Sequence, residues 1–316
     1  MKKKTKSGLL ILFFFIGFSN NILSQEKTIK IKTERNKDKS VDFYYKKNLP
    51  GSFHLTIKFT TLENTKAYTY REVVKSNYGF LFKLKPKNAN ESIKYSYRTS
   101  YIRGIPNPKI DSLFTYTLPF KKGKHVIIHE NNNVGEKYFN DEKPKNWKSY
   151  GIKRKQADTV TNMRKGIVVK ITNKFDTDTL VKKKFTTQIN RILIEHADGT
   201  FASYKGFKKD AIFVKLGQKV YPQTELGILD IFNESYRLYF NIYYLKTDSL
   251  NSKEKSTLTK RKRNYAYITP YYYTEKGAVQ LENKNKYKIV FDDEAFLKEF
   301  SKKEFKKYKK TPEHFE

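Results

Sequence analysis

The fold that we expect for this chain follows first from the sequence ILIEHADGTFASY, residues 192–204. Apolar and β-branched residues lie on both sides of the Asp198-Gly199 pair. An Asp-Gly pair between two such runs is a strong signal for a tight turn that joins antiparallel strands. We therefore predict strands from Arg191 to Glu195 and from Thr200 to Tyr204, paired as a β-hairpin.

Further strands are expected on both sides of this hairpin. The same apolar and β-branched pattern recurs at Gly166 to Ile171, Ile212 to Val214, Leu226 to Leu229 and Arg237 to Tyr244. Runs of this length and composition predict an antiparallel β-sheet. A final strand pair is expected between Tyr265 and Val290, and the polar stretch from Thr247 to Arg263 before it is interpreted as a flexible excursion.

The first part of the chain has the period of a half-buried strand. Phe53, Leu55 and Ile57 alternate with polar residues, and similar runs occur at 80–84 and 93–97. Alternation with a period of two predicts strands with one buried face, and several short strands of this kind favour a sandwich. We predict a β-sandwich-like domain at residues 26–112 and a second β-domain at 113–290.

The end of the chain has a different period. Apolar residues recur there at roughly helical spacing: Phe296, Leu297, Phe300, Phe305 and Tyr308. Behind the acidic start Asp292-Asp293, this spacing predicts one amphipathic helix from Asp292 to Tyr308. The expected fold is therefore mainly β, with one C-terminal α-helix and tail at residues 291–316.

The first residues are typical of a secretory signal peptide. The basic start MKKKTK is followed by an apolar run of about 10 residues from Leu9 to Phe18, which is half the length of about 20 that a spanning helix needs. We expect residues 1–25 to be removed and the mature chain to have no transmembrane segment. The chain has no cysteine, so neither a disulfide framework nor a lipidated N-terminal thiol is expected. The expected location is secreted, in the periplasm or cell envelope.

The charge indicates an anionic partner. Lysine and arginine total 65 against 32 acidic residues, a formal net charge of +33. Nucleic acid, anionic lipid and cell-wall polymer all carry the required charge. Export argues against nucleic acid, and no nucleic-acid-binding motif is visible, so an anionic wall polymer is the expected partner. Codon bias in an AT-rich genome is an alternative source of the lysine excess.

Several blocks resemble the lysostaphin/LytM family of zinc metalloendopeptidases, the M23 peptidases with the duplicated hybrid motif. The hairpin is the central block, and it is followed by VKLGQKV at 214–220 and ELG at 225–227. It is preceded by YTLPFKKG at 116–123 and MRKGIVV at 163–169 and followed later by ITP at 268–270 and Tyr287. The resemblance covers about residues 115–290 and implies an antiparallel β-sheet with a peptidoglycan-binding groove.

The resemblance also implies a zinc ion held by a His, an Asp and the last His of an H-x-H motif, with two further catalytic histidines. At the matching positions this chain departs from the family pattern. The Y-x-H block contains Tyr204 and ends at Gly206, the H-x-H block has Arg237 and Tyr239, and the aspartate position is Lys153. No histidine occurs between His129 and His196.

The sequence therefore predicts a degenerate groove at Lys153, Gly206, Arg237 and Tyr239. No catalytic residue, metal ligand or cofactor is expected there, and zinc would be expected only if the family site were intact. Tyr204, Arg237 and Tyr239 are the candidate binding residues. A positive charge at the metal position repels a cation and attracts a carboxylate; random drift in a site that lost its task is the alternative reading.

The remaining histidines do not suggest a metal site of another kind. His125 and His129 are four apart, and on an extended strand that spacing separates them by about 13 Å on one face. His196 precedes the Asp-Gly turn and is expected to serve the hairpin. His54 is expected on the polar face of a strand, and His314 in the tail.

Three functions are compatible with these observations. The first is a secreted non-catalytic homologue of a peptidoglycan metalloendopeptidase, which binds wall peptide or regulates a wall hydrolase. The second is an active zinc endopeptidase with an unrecognised ligand set. The third is a structural or interaction protein of the envelope. Cysteine nucleophiles are excluded by composition, whereas a pair of carboxylates of the glycosidase type is left open.

Overall fold

A computed structural model shows the arrangement of the chain. The structure describes residues 28–66, 69–139, 143–176, 186–246, 264–312 and Phe315. The predicted signal peptide, the polar excursion at 247–263 and His314 lie outside the described residues. Within the described ranges no helix has the length and apolar character needed to cross a membrane.

The N-terminal part is a sandwich of two three-stranded sheets, as predicted. Its strands are β1 (Ile29–Arg35), β2 (Val41–Lys47), β3 (Phe53–Glu63), β4 (Thr69–Val74), β5 (Tyr78–Leu84) and β6 (Lys94–Arg103). The strand orders are β1-β2-β5 and β4-β3-β6. Phe43 from one sheet and Leu55 and Ile57 from the other have no exposed surface. Alternate residues of both sheets thus form one core.

A twelve-stranded, mainly antiparallel sheet forms most of the rest of the protein. Its strands are β8 (His125–Glu130), β9 (Tyr150–Arg154), β10 (Thr159–Thr161), β11 (Gly166–Thr172), β12 (Asn190–Glu195), β13 (Phe201–Ile212), β14 (Lys219–Val220), β15 (Glu225–Leu229), β16 (Ile231–Phe232), β17 (Ser235–Leu245), β18 (Tyr265–Ile268) and β21 (Lys286–Lys288). The main path runs β14-β11-β12-β13-β17-β9-β8-β21. A small sheet, β20-β19-β7, is built from β7 (Thr115–Tyr116), β19 (Tyr271–Thr274) and β20 (Gly277–Gln280).

The predicted hairpin lies at the centre of the large sheet as β12 and β13. Glu195 pairs with Phe201, and the Asp198 side chain accepts hydrogen bonds from the backbone N–H and the hydroxyl of Thr200. Gly199 has a φ of +86°, a conformation that glycine adopts without steric penalty. The prediction of a turn at Asp198-Gly199 is therefore confirmed.

The central strands of the large sheet have one face that is covered throughout and a second face that is covered only in part, since Phe201 on it is buried whereas Lys205 keeps some exposed surface. Residues on the covered face have no exposed surface: Ile152, Ile192, Tyr204, Leu238 and Phe240. Because side chains alternate along each strand, their neighbours point the other way. We call this second side the outer face, and it carries His129, Lys153, Arg191, Lys205, Arg237 and Tyr239.

The sandwich and the large sheet meet at a buried carboxylate. Glu195 accepts a 2.8 Å hydrogen bond from the backbone N–H of Ser52 and another from its hydroxyl. Nearby, the Tyr265 hydroxyl donates to the carbonyl of Arg103 at 3.1 Å. Since Ser52 and Glu195 are both buried, the contact excludes water and holds the two β-structures together.

The predicted C-terminal helix is in fact two short helices. A first helix, α1, lies earlier at Val134–Phe139; the C-terminal ones are α2 (Asp293–Leu297) and α3 (Lys302–Tyr308). Ser301 adopts an extended backbone conformation and caps α3, and the Glu304 side chain accepts a hydrogen bond from the Ser301 N–H in return. This reciprocal cap ends any continuous helix at Ser301, so the prediction of one helix was wrong.

The apolar spacing that suggested one helix instead serves an aromatic cluster. Phe296, Phe300, Tyr308 and Phe315 pack on one another, and Tyr221 lies against Phe300 and Phe315 at ring-centroid distances of 4.9 and 4.7 Å. Aromatic packing of this kind stabilises the attachment of the tail to the large sheet.

Two ion networks also attach the tail. The guanidinium of Arg164, 4 % exposed, contacts Asp198 at 2.7 Å and Glu299 at 2.8 Å. Glu304 accepts hydrogen bonds from Lys165 and from the Tyr221 hydroxyl at 2.7 and 2.9 Å. The tail is therefore bound to the hairpin turn and to the start of β11 by charged hydrogen bonds, which are stronger than neutral ones.

We expect Arg164→Leu to lower the free energy of unfolding by about 3–5 kcal/mol, since it leaves two carboxylates with no buried counter-ion. Chemical denaturation measures the change. Arg98→Leu is the control, because Arg98 is exposed on β6 and its loss should change stability by less than about 0.5 kcal/mol. Equal losses in the free energy of unfolding for the two variants would contradict a stabilising role of the Arg164 ion pairs.

We expect Glu304→Gln to lower stability at pH 7 by about 1–3 kcal/mol. Burial alone would raise the pKa of Glu304, but hydrogen bonds from Lys165, Ser301 and Tyr221 outweigh it and lower the pKa. A lowered pKa stabilises the fold above the unfolded value of about 4.3 and is lost as the pH falls below it. The difference in melting temperature between wild type and variant should therefore narrow below about pH 4.

The control for this pH dependence is Glu72→Gln, since Glu72 is exposed on β4. Its melting temperature should follow that of the wild type at every pH. A constant difference between wild type and Glu304→Gln from pH 7 to pH 3 would show that the carboxylate charge is not what attaches the tail.

Candidate functional site

The candidate site is a shallow groove on the outer face of the large sheet. Gly206, Arg237 and Tyr239 line it, together with Asn190 and Asp230. Its free volume is about 50 Å³, which is room for a few waters or one small planar group. The volume has room for only a small group of any ligand, whose remainder would lie on the outer face.

The structure brings together all four positions predicted for the degenerate groove. Three of them, Gly206, Arg237 and Tyr239, line the groove directly. The fourth, Lys153, lies on β9 directly opposite Arg237 on β17. Three strands thus supply the cluster, and the shared outer face follows from the period-2 alternation of β9 and β17.

Gly206 is a bulge that has no room for a side chain. Lys205 pairs with Arg191 and Phe207 pairs with Asn190, so Gly206 is the extra residue on β13. Its φ is +114°, and a Cβ atom would lie 2.0 Å from the carbonyl oxygen of Arg237. A histidine at this position would require β17 to move.

Arg237 and Lys153 are opposed cations at the groove, whose lining also includes the carboxylates Asp176 and Asp230. The Nε of Arg237 donates to the Ser235 hydroxyl at 2.7 Å, and its guanidinium lies 5.6 Å from the ring centre of Phe232. In the described parts of the chain, no carboxylate lies within ion-pair distance of either cation. Like charges directly opposite on neighbouring strands repel, so this pair favours an anion between them.

A zinc ion does not fit these residues. Zinc is bound by thiolate, imidazole or carboxylate groups, whereas the four positions offer two cations, a tyrosine and a glycine that can bear no side chain. No group of three or more His, Asp or Glu residues that could hold a metal occurs among the described residues. The opposed cations Arg237 and Lys153 instead offer local positive charge to an anion.

His129 is a neighbour of the groove that the sequence did not place there. It lies on β8 opposite Gly151, which pairs in turn with Tyr239. Burial lowers the pKa of His129, and Lys153 and Arg237 lower it further, so its imidazole is neutral at pH 7. Strand alternation placed His125 and His129 on one face correctly, but sequence alone does not tell which strand lies beside β8.

Tyr204 is not available to a ligand, and its prediction as a binding residue was wrong. Its side chain has no exposed surface on the covered face. The hydroxyl donates to the side-chain carbonyl of Asn162 at 3.0 Å and accepts from the backbone N–H of Met163 at 2.9 Å. Both hydrogen bonds hold the loop before β11 against the sheet.

Two further histidines among the described residues, His196 and His54, lie where the sequence predicts. His196 is buried in the hairpin turn, where its Nδ1 lies 2.9 Å from the Thr200 hydroxyl. Burial and the nearby Arg164 lower the pKa of His196 to about 3, so it stays neutral. His54 lies on the half-exposed side of β3, as predicted.

No family model matches this chain, and no curated protein matches it. One similar solved structure is that of the SpoIIQ–SpoIIIAH pore-forming complex, with 19 % identity, 42 % of this chain and 85 % of that chain covered, and a TM-score of 0.26. A crystal structure of the SpoIIIAH and SpoIIQ complex is similar at 20 % identity, with coverages of 43 % and 88 % and a TM-score of 0.24. Likenesses this small carry no argument about the family or the function of this chain.

We expect Gly206→Ala to destabilise the protein by about 3 kcal/mol, the sum of a positive φ and a clash with β17. Gly277→Ala is the matched control, because Gly277 also has a positive φ but no atom within 4 Å of its Cβ position. It should lose only about 1 kcal/mol. Thermal unfolding compares the two, and similar losses would contradict the steric closure at Gly206.

Proposed function

We propose that this chain is a secreted, non-catalytic homologue of a peptidoglycan metalloendopeptidase that binds wall peptide, or regulates a wall hydrolase, through the groove. The observation that carries the proposal is the opposed pair Arg237 and Lys153, at the positions where the family has a catalytic histidine and the aspartate that binds zinc. A cation pair at the metal site selects for anions and against metals.

The chemistry of the groove supports recognition of a carboxylate. The Nε of Arg237 donates its hydrogen bond to Ser235, so the two terminal nitrogens of the guanidinium remain for a ligand. Guanidinium and carboxylate make two parallel hydrogen bonds, and Lys153 adds a second charge from the neighbouring strand. The free volume of about 50 Å³ accommodates a group of that size. Stem peptides of the bacterial wall carry such carboxylates.

The excess of positive charge over the whole chain agrees with an anionic partner. At +33 the protein attracts polyanions and anionic surfaces at long range, and this attraction falls with ionic strength. The predicted signal peptide would deliver the chain to a compartment where wall material is the abundant anion.

Zinc content and peptidoglycan cleavage separate this proposal from an active enzyme. The mature protein is dialysed against zinc, washed and analysed for bound metal, and the same preparation is incubated with isolated peptidoglycan. We expect less than stoichiometric zinc and no released fragments. Stoichiometric zinc together with soluble fragments would establish a working hydrolase and overturn the proposal.

We expect Arg237→Gln to weaken binding to isolated peptidoglycan at least tenfold, as the loss of one charge-assisted bidentate contact is worth about 1.5–3 kcal/mol. Co-sedimentation at fixed ionic strength measures it. Arg98→Gln is the control with the same change in net charge, on an exposed site of the sandwich. If both variants bind equally, the attraction is a property of the overall charge, and an envelope protein without a groove ligand becomes the better description.

A further inference from the structure

A second pair of opposed cations lies on the same outer face. Arg191 on β12 stands directly opposite Lys205 on β13, and Lys205 in turn stands opposite Tyr239 on β17. Two like charges in directly opposite positions destabilise a sheet unless another charge compensates them. The large sheet thus has two such pairs side by side, Arg191 with Lys205 and Arg237 with Lys153.

The second pair has no compensating group among the described residues. The Nε of Arg191 is buried and has no hydrogen-bond partner. Burial lowers the pKa of Lys205, and Arg191 lowers it further. Lys170 on β11 adds a third cation close to Arg191. The acid on the same side of β12, Glu195, is already committed to Ser52.

The half-buried pair Arg191 and Lys205 differs from a pair of cations that is fully exposed to water. Lys58 on β3 and Arg98 on β6 are also directly opposite, but both side chains are exposed. Water screens exposed charges, whereas half-buried cations repel more strongly and lack solvent partners. A bound anion would satisfy both Arg191 and Lys205.

The distance between the two pairs specifies the spacing of the ligand's charges. Across the sheet, the midpoints of the two pairs are two strand spacings apart, or about 10 Å. Along the strands they are offset by two residues, or about 7 Å. The separation is therefore about 12 Å. In an extended peptide this distance separates residues i and i+4, whose side chains lie on the same side.

We propose that the outer face binds an extended peptide that carries two carboxylates about 12 Å apart, one held by Arg237 and Lys153 and the other by Arg191 and Lys205. Tyr239, between the pairs, lies under the peptide backbone. The inference rests on the proposed function, to which it adds the second contact and the charge pattern of the ligand.

The arrangement favours a peptide over a polyanionic polymer. A regular polymer is bound best by an uninterrupted track of cations along its length. Here the cations form two discrete pairs with an aromatic side chain between them, and only a small group fits the groove at the first pair. Two separate carboxylates match that pattern.

Blocked synthetic peptides test the proposal by titration calorimetry or fluorescence anisotropy. The probe is Glu-Gly-Ser-Gly-Glu, acetylated and amidated, and it is compared with peptides in which one or both Glu are replaced by Gln. We expect the two-carboxylate peptide to bind the wild type at least tenfold more tightly than either one-carboxylate peptide. Arg191→Gln/Lys205→Gln should abolish this advantage and still bind a single carboxylate.

The matched control is Lys58→Gln/Arg98→Gln, which removes an exposed opposed pair and should keep the full advantage. Equal affinity of wild type for one and two carboxylates would overturn the inference and leave the proposed function standing. Absence of binding to any carboxylate peptide would overturn both. Tighter binding of long-chain polyphosphate than of the two-carboxylate peptide at equal total charge would also overturn the peptide proposal.

Discussion

The buried guanidinium of Arg164 holds together parts of the chain that are far apart in sequence. It contacts the turn of the central hairpin through Asp198 and the C-terminal tail through Glu299, and its planar group lies 3.7 Å from the ring centre of Phe114. A buried charge is tolerated only when its partners are in place. The turn, the tail and the entry to the large sheet are consequently mutually dependent. Asp198 serves two purposes at once, since it also shapes the turn through Thr200.

The sequence predicted the β-structure well because half-buried strands show an alternation of apolar and polar residues that is visible in the sequence. The hairpin at residues 192–204, the strand at Arg237 to Tyr244 and the sandwich core around Phe53 and Ile57 all follow from alternation and one Asp-Gly turn. The C-terminal segment was misread for a physical reason. Apolar spacing indicates which side chains are buried but not whether one helix or several segments carry them. Here two short helices and the tail bring the aromatic side chains together around Tyr221.

The groove was predicted less completely. Mapping the sequence blocks brought Lys153, Arg237 and Tyr239 together, as the strand register does. The same mapping counted Tyr204 as a binding residue, although Tyr204 pairs with the buried Ile192 and therefore lies on the covered face. The mapping also did not reveal the bulge at Gly206. One extra residue in a strand reverses the side of the sheet to which all later side chains of that strand point. His129 and Arg191 reach the site only through strand order, which local sequence does not encode.

The bulge at Gly206 also bears on how such a groove can change over many generations. The pattern that the sequence blocks resemble has a catalytic histidine at the position of residue 206, yet any Cβ at that position meets the carbonyl of Arg237. A single substitution therefore damages the sheet before it supplies an imidazole. The full family pattern would need β13 to lose a residue, Arg237 and Tyr239 on β17 to become histidines and Lys153 on β9 to become an aspartate. Because selection acts on one mutation at a time, the bulge blocks any single-step route from this groove to that pattern.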